Sequence, residues 1–523
     1  MELEANDKKG HEAKPTEETA KKPVKNDDKL VKFFKENYII ISILIFAFIV
    51  AFYYFNITKT QPLWWDEAEY LSTAKHWAFG VPYNLNPQRP PLFQFLSALS
   101  FIVGFGEQFI KIFLVLFPYL FLIFAVYLLG KEMYNKNIGY IAAFLTSVSW
   151  TLLFWSQRVQ PDFFSMSFQV LSILFMWKFW KSSDESKNKS KLVIFAGIFA
   201  ALGFLFKISG LLVPILFIVF IFVKDRFSAL KNKYYYYFAA AFIATLIPDF
   251  IWSYFTFGDP LAIFHSGYSV AIGTATPFAW NTINFFYLLT ENILFILFLF
   301  GTVLALQFLL YFDVIIKDRK KAFDPNIFSI LSLIIITSFY IFYTRAIEDR
   351  WVFLWLPFIF FFIGNALLFI HKSLKKYNKN IAIIVVLILL LIGGYVQLTQ
   401  ANASIEGKKD SYIQIKDASL WIKQHLAKNE SSMSISYTQT TYYSEHLTLS
   451  YSLLNETQFN QFVLDKKPKY ILISVIEPNH PEWIYTWAPA NPNKLIPVQV
   501  YFLDSAKTQP VAVIYQFNMS AFK

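Results

Sequence analysis

Six residues of this 523-residue chain are of types and spacings that can do chemistry. They are Asp66 and Glu67 in "WWDEAEYLSTAKHW" (64–77), Arg89 in "NPQRPPLF" (86–93), Asp162 in "SQRVQPDFF" (156–164), Lys207 in "FLFKISGLLVP" and Arg350 in "TRAIEDRWVFLWLPF" (344–358). A carboxylate at a membrane edge can act as a general base. The cations suit an anion, and arginine matches a phosphate through two parallel hydrogen bonds. On a helix Asp66, Glu69, Tyr70 and Thr73 share one face, whereas Glu67 points with Leu71 and Ala74. The spacing alone leaves open which of Asp66, Glu67 and Glu69 would be that base. Plainer readings stand beside these. Acids favour the first turn of a helix, arginines snorkel at a membrane edge, and Asp162 after Pro161 suits a helix start. Asp66 and Asp162 lie at matching depth and could face one cavity, with a divalent metal (Mg or Mn) between them left open. Lys207 interrupts about 30 apolar residues, and a lysine at mid-span costs ~2.5–3.5 kcal/mol, so a hairpin at the surface, facing phosphate, is its expected place. Asp249 is either functional or paired inside the bundle, and His76 and His265 are lone. The chain has no cysteine, which excludes thiolate nucleophiles, disulfides and zinc-thiolate sites.

These residues need elements to position them. The chain is 56% hydrophobic and 16% charged, against about half and about a quarter in soluble proteins. That is the composition of a polytopic α-helical membrane protein. The net charge of +11 lies in short loops between apolar runs, a topology signal rather than a footprint for nucleic acid. A spanning helix needs about 20 residues, and eleven runs qualify: roughly 38–55, 109–130, 138–157, 162–180, 192–207, 208–223, 234–257, 291–316, 326–343, 351–371 and 381–398. Lysine-rich loops at 131–136, 181–191, 224–233, 317–321 and 371–379 share one side, whereas 258–290 holds neither Lys nor Arg. The positive-inside rule makes the lysine-rich side cytoplasmic, with the N-terminus inside and everything after residue 398 outside the cell membrane.

Residues 1–37 mix nine lysines with nine acids and are expected to form a disordered cytoplasmic tail. No small-residue cleavage site follows the first run, which reads as an uncleaved anchor. Residues 38–398 make the transmembrane domain. Within 60–108, the stretches 66–79 and 90–105 are read as helices lying along the outer interface, the second too short to span. Residues 399–523 are read as a small extracytoplasmic α/β domain, with helical spacing in 410–429 followed by β-rich runs at 432–437, 469–475, 497–502 and 510–517. The N-x-S/T sites at Asn56, Asn402, Asn429, Asn455 and Asn518 fall on the outer side, and Asn188 alone falls inside.

Taken in order, "WWDEAEYLSTAKHWAFGVPY", "RPPLFQFLSAL", "RVQPDFFSMSFQVLSI", "GIFAALGFLFKISGLLVP" and "EDRWVFLWLPFIFFFIG" resemble the GT-C superfamily of polyprenyl-phosphate-sugar glycosyltransferases. Within it, the resemblance is to the protein O-mannosyltransferase and lipid A aminoarabinose transferase group, over about residues 38–400. It implies transfer of a sugar from a dolichyl or undecaprenyl phosphate donor to a protein, glycan or lipid acceptor. It also implies Asp66 as the base with Glu67 as its supporting neighbour in the catalytic pair, which leaves Glu69 as solvated surface, and Arg89 as the lipid-phosphate contact. Lys207 and Arg350 would neutralise that phosphate, and Asp162 would be a second catalytic acid. The chain departs from the group where "WVFLW" follows Arg350 in place of a tyrosine–leucine run, which bears on the sugar taken. Such a donor brings its own leaving group. An inverting displacement then needs one base and positive charge on the departing phosphate, without the second carboxylate nucleophile of retaining glycosidases. The competing reading is a transporter or flippase for a lipid-linked or small solute. It calls for mid-bilayer charges and repeat symmetry, whereas these charges gather at one rim.

Overall fold

The computed structural model describes residues 26–183, 187–266, 279–311, 323–344, 348–477 and 481–522. The first part of the expected tail, the "KDRKK" loop and the far end of the eighth apolar run lie outside these residues.

Local signals set the helices that carry the site. Helix α1 (Asn26–Thr58) has Asp27 and Asp28 in its first turn, where the helix dipole favours acids. Residues 26–37 are therefore helical, a correction to the expected disordered tail. Leu30, Val31 and Phe34 continue the apolar run, and extending a formed helix is cheap compared with starting one. Helix α2 (Trp65–Phe79) begins with the Glu67 carboxylate accepting the Trp64 N–H at 2.6 Å, half of a capping box. It ends on Gly80 at φ +71°, a left-handed cap that glycine adopts without a Cβ penalty. Helix α3 (Leu92–Ile102) starts directly after Pro90 and Pro91.

The bundle continues with α4 (Glu107–Met133), α5 (Lys136–Val148), α6 (Trp150–Trp155), α7 (Asp162–Lys181), α8 (Lys189–Phe206), α9 (Ile208–Lys231) and α10 (Lys233–Phe257). It closes with α11 (Trp280–Thr290), α12 (Asn292–Ala305), α13 (Pro325–Phe342), α14 (Asp349–Lys375) and α15 (Lys379–Glu406). Side chains of Asn135, Asp324 and Asn378 cap the starts of α5, α13 and α15.

Among the described residues, nine helices are long and apolar enough to cross a membrane, or ten if α11 and α12, bent by 115°, form one span. The expectation of eleven runs is corrected at two places. The third run splits into α5 and α6 at Ser149, and the eighth starts at a sharp break at Glu291, φ +50°. Gln397 of α15 joins both breaks. Its Oε1 accepts the Trp150 N–H at 3.0 Å, and its Nε2 donates to the Thr290 carbonyl at 3.0 Å. A broken helix inside apolar packing must find such partners.

After α15 come α16 (Ile413–His425), β1 (Ser432–Ser434), α17 (Tyr437–Ser444), β2 (Thr448–Leu449), α18 (Glu456–Lys466), β3 (Tyr470–Ser474), α19 (Trp483–Ala490), β4 (Leu495–Phe502) and β5 (Pro510–Phe517). The sheet order is β2-β1-β3-β5-β4, parallel across β2-β1-β3 and antiparallel beyond. The period-two pleat sends Ile471 and Ile473 into a core with Phe459, Val463 and Trp487. Tyr470 and Leu472 face the opposite core, with Ile415, Ile422 and Ile514.

This domain sits on α2. Leu63 N–H donates to the Tyr443 hydroxyl at 2.8 Å, the Ser72 hydroxyl to the Thr438 carbonyl at 3.3 Å, and Lys75 pairs with Glu445 at 2.8 Å. The rings of Trp65 and Tyr437 meet edge to face at 5.5 Å.

Candidate active site

The candidate residues occupy helix ends and links. Asp66 is in the first turn of α2, Arg89 in the α2–α3 loop, and Asp162 is the first residue of α7. Lys207 is the extended link between α8 and α9, and Arg350 lies in the 3₁₀ opening of α14. Gly210 lets the Lys207 link fold tightly, because a Cβ there would run into the backbone of Gly203 and Phe204. Asp349 fixes the start of α14 by accepting from Thr151 Oγ1 at 2.6 Å and Trp155 Nε1 at 3.0 Å.

Asp66 lies between two arginines. Arg89 Nη2 donates to its Oδ1 at 2.6 Å, and Arg350 Nη2 donates to its Oδ2. Each arginine is held by a second carboxylate through Nε, Arg89 by Glu69 at 2.6 Å and Arg350 by Glu348 at 2.6 Å. The result is an alternating chain: Glu69, Arg89, Asp66, Arg350, Glu348. Burial pushes the Asp66 pKa up, but Arg89 and Arg350 hold it well below the usual carboxylate range. Burial lifts the neighbouring Tyr70 phenol to about 12, so it stays protonated.

Arg350 also lines a crevice of about 10 Å³ with Asp162, Lys207, Ser165, Gln169 and Ser209, room for about one water. Lys207 donates to Asp162 Oδ1. The buried Asp162 Oδ2 and Gln169 Oε1 have no hydrogen-bond partner among the described residues. The structure thus brings Asp66, Arg89, Asp162, Lys207 and Arg350 together, with Arg350 as the joint between the two carboxylates.

Glu67 is not part of this group. It is 1% exposed, and its oxygens take the N–H groups of Trp64 at 2.6 Å and Val159 at 2.5 Å, with Arg158 Nη1 at 3.5 Å. The Arg158 guanidinium lies 3.6 Å over the Trp64 ring. Glu67 therefore ties the start of α2 to the turn that leads into Asp162.

Glu69, read from sequence as solvated, is 0% exposed, a correction with a clear cause. The 80–91 loop folds back over α2 and sets Arg89 on one Glu69 oxygen and Asn86 Nδ2, at 2.6 Å, on the other. The sequence reading missed Glu69, Arg158, Gln169 and Glu348. Only Glu69 carried a signal, its i+3 spacing from Asp66.

Among the described residues no three His, Asp or Glu side chains gather as a metal site. Both Asp66 oxygens face arginines and Asp162 faces a lysine. A donor set so rich in cations does not fit a divalent ion between Asp66 and Asp162, and no step below uses one. Asp249 stands apart. It lines a groove of about 500 Å³ with Trp77, Pro91, Leu92, Leu205 and Trp252. His76 Nδ1 is 2.9 Å from the Val81 carbonyl, and His265 pairs with Asp259 at 2.6 Å.

This fold is similar to that of solved GT-C enzymes. Residues 88–252, the stretch from Arg89 through Asp162 and Lys207 to Asp249, match the family described as dolichyl-phosphate-mannose-protein mannosyltransferase. Among solved structures, apo ArnT from Cupriavidus metallidurans superposes with a TM-score of 0.63 at 12% identity, covering 92% of this chain and 98% of that one. ArnT bound to undecaprenyl phosphate gives 0.61 at 12% identity, covering 91% and 98%. The oligosaccharyltransferase AglB from Archaeoglobus fulgidus, in complex with an inhibitory peptide and a dolichol-phosphate, gives 0.59 at 14% identity, covering 91% and 74%. At these identities the likeness is one of fold. No curated protein sequence matches the chain.

Proposed function

We propose that the chain is an integral membrane glycosyltransferase. It moves a sugar from a dolichyl or undecaprenyl phosphate donor to an acceptor hydroxyl on the extracytoplasmic side, with inversion. The observation that carries this reading is Asp66 set between Arg89 and Arg350, beside the Lys207–Asp162 pair.

In the reaction the acceptor oxygen attacks the anomeric carbon while Asp66 takes its proton. The bond from that carbon to the phosphate oxygen breaks, and the phosphate leaves with the electron pair. Arg89, Lys207 and Arg350 stabilise the charge that develops on it. One displacement inverts the anomeric centre. The walls of the 500 Å³ groove include Pro91 and Leu205, each two residues from a phosphate cation, so the polyprenyl chain is assigned to it. The polyprenyl phosphates held by ArnT and AglB support that donor class. The lysine-rich loops support an orientation with the N-terminus in the cytoplasm and the sheet domain outside. The acceptor is a protein, glycan or lipid.

The test is turnover by the purified protein on a panel of polyprenyl-phosphate monosaccharides, wild type against Asp66→Asn. Consumption of one donor by the wild type alone is the expected result. Normal turnover by Asp66→Asn would remove Asp66 as the base. A reporter fused after residue 406 that reads as cytoplasmic would overturn the orientation.

A further inference from the structure

We propose that Glu69 is a positioning residue for the donor phosphate: it grips Arg89 by Nε, so the guanidinium keeps its aim when the phosphate displaces Asp66. The inference rests on the transferase reading. Asp66 now occupies one terminal nitrogen, Nη2, of each arginine, a group a phosphate would use. A carboxylate receiving two charge-assisted hydrogen bonds is also a poor acceptor for a hydroxyl proton. The incoming phosphate and the base therefore compete for the same two guanidinium groups, and donor binding releases the base as it binds.

That exchange works only if the arginines stay in place while their shared partner leaves. Arg350 is anchored by Glu348, whose side chain is 50% exposed, and an exposed pair holds weakly. Arg89 is anchored by Glu69, which is buried, takes Nε at 2.6 Å and is itself held by Asn86 at 2.6 Å. Tyr70 adds a second brace, accepting from Arg89 Nη1 at 3.3 Å. Of the two arms, the one fixed by Glu69 is preorganised. Glu69 touches no substrate, and its effect runs through Arg89.

The experiment uses the purified full-length protein in nanodiscs, with undecaprenyl phosphate alone as the binding probe and a consumed sugar donor for kinetics. Glu69→Gln should weaken lipid-phosphate binding and raise the donor KM by about tenfold, the scale of one charge-assisted hydrogen bond, with kcat changed far less. Asp66→Asn should bind undecaprenyl phosphate several-fold more tightly than wild type while losing turnover, because the competitor is gone. Misfolding cannot produce tighter binding. If Glu69→Gln does not fold, Asn86→Ala, which loosens Glu69 and keeps the ion pair, should raise KM several-fold. An Asp66→Asn protein that binds no tighter, or a Glu69 or Asn86 variant with lowered kcat and unchanged KM, overturns the inference while leaving the transferase reading standing. A wild type that binds no polyprenyl phosphate overturns both.

Discussion

In the proposed reaction Asp66 is an anion that two arginines hold and, at another moment, a base that takes a proton. Its pKa in the free protein is depressed. A carboxylate of that kind contributes stability that is present above its unfolded value of about 3.9 and is lost as pH falls through the folded value. The two pairs that Asp66 makes with Arg89 and Arg350 therefore stay intact above about pH 4. The acid limb of kcat/KM reports the free protein and should carry no Asp66 titration in that range. The limb of kcat reports the donor-bound state, where phosphate has taken the arginines, and should lie at higher pH. A pH series that gave both constants the same acid limb would contradict the exchange. Much of this site was legible from spacing and depth, which put Asp66, Arg89, Asp162, Lys207 and Arg350 at one rim. Glu67 was read as a partner of Asp66 from the resemblance, although helix geometry already set it on another face, since neighbours on a helix diverge by about 100°. Glu69 was misread because its burial comes from a loop that folds back from residue 80 onward, and no local pattern records where a loop lands.

Among the elements, the two broken helices matter more than the intact ones. The nine spans follow directly from hydropathy, since each is a continuous apolar run of sufficient length. The breaks at Ser149 and Glu291 did not show in the sequence, because their compensation comes from Gln397, 247 residues along the chain from Trp150. The break at Ser149 bears on the candidate site. The short α6 that follows Ser149 presents Thr151 and Trp155 to Asp349, and Arg350 lies 4.8 Å over the Trp155 ring. Gln397→Leu should leave the buried Trp150 N–H and Thr290 carbonyl without partners, at about 1–3 kcal/mol for each group. The expected outcome is a lowered unfolding midpoint in detergent together with a raised donor KM, as α6 loosens and Arg350 loses its support. Unchanged stability would mean that other groups satisfy both breaks.

For the whole molecule, the question is whether the sheet domain and the helical bundle act as one body at the site. Their joint is α17 lying on α2, the helix that carries Asp66 and Glu69, and its central bond is the buried Leu63 N–H to Tyr443 hydroxyl at 2.8 Å. Leu63 is 0% exposed, so losing that acceptor strands an amide that water cannot reach. Tyr443→Phe keeps the ring and its packing and removes only the oxygen. The cost expected at the joint is about 1–3 kcal/mol. Amide exchange across residues 63–75 should then speed up by about fivefold to about 150-fold, because local opening is released there without global unfolding. Exchange in α12 and α13 should be unaltered, since neither helix shares this bond. Donor turnover should fall along with the loss of protection in α2, because a helix that opens more often presents Asp66 and Glu69 correctly for less of the time. If exchange in α2 stays slow in Tyr443→Phe, the sheet domain is a passive cover. If it quickens as turnover falls, the domain holds the proposed base in place from outside the bundle, through a bond that begins three residues before Asp66.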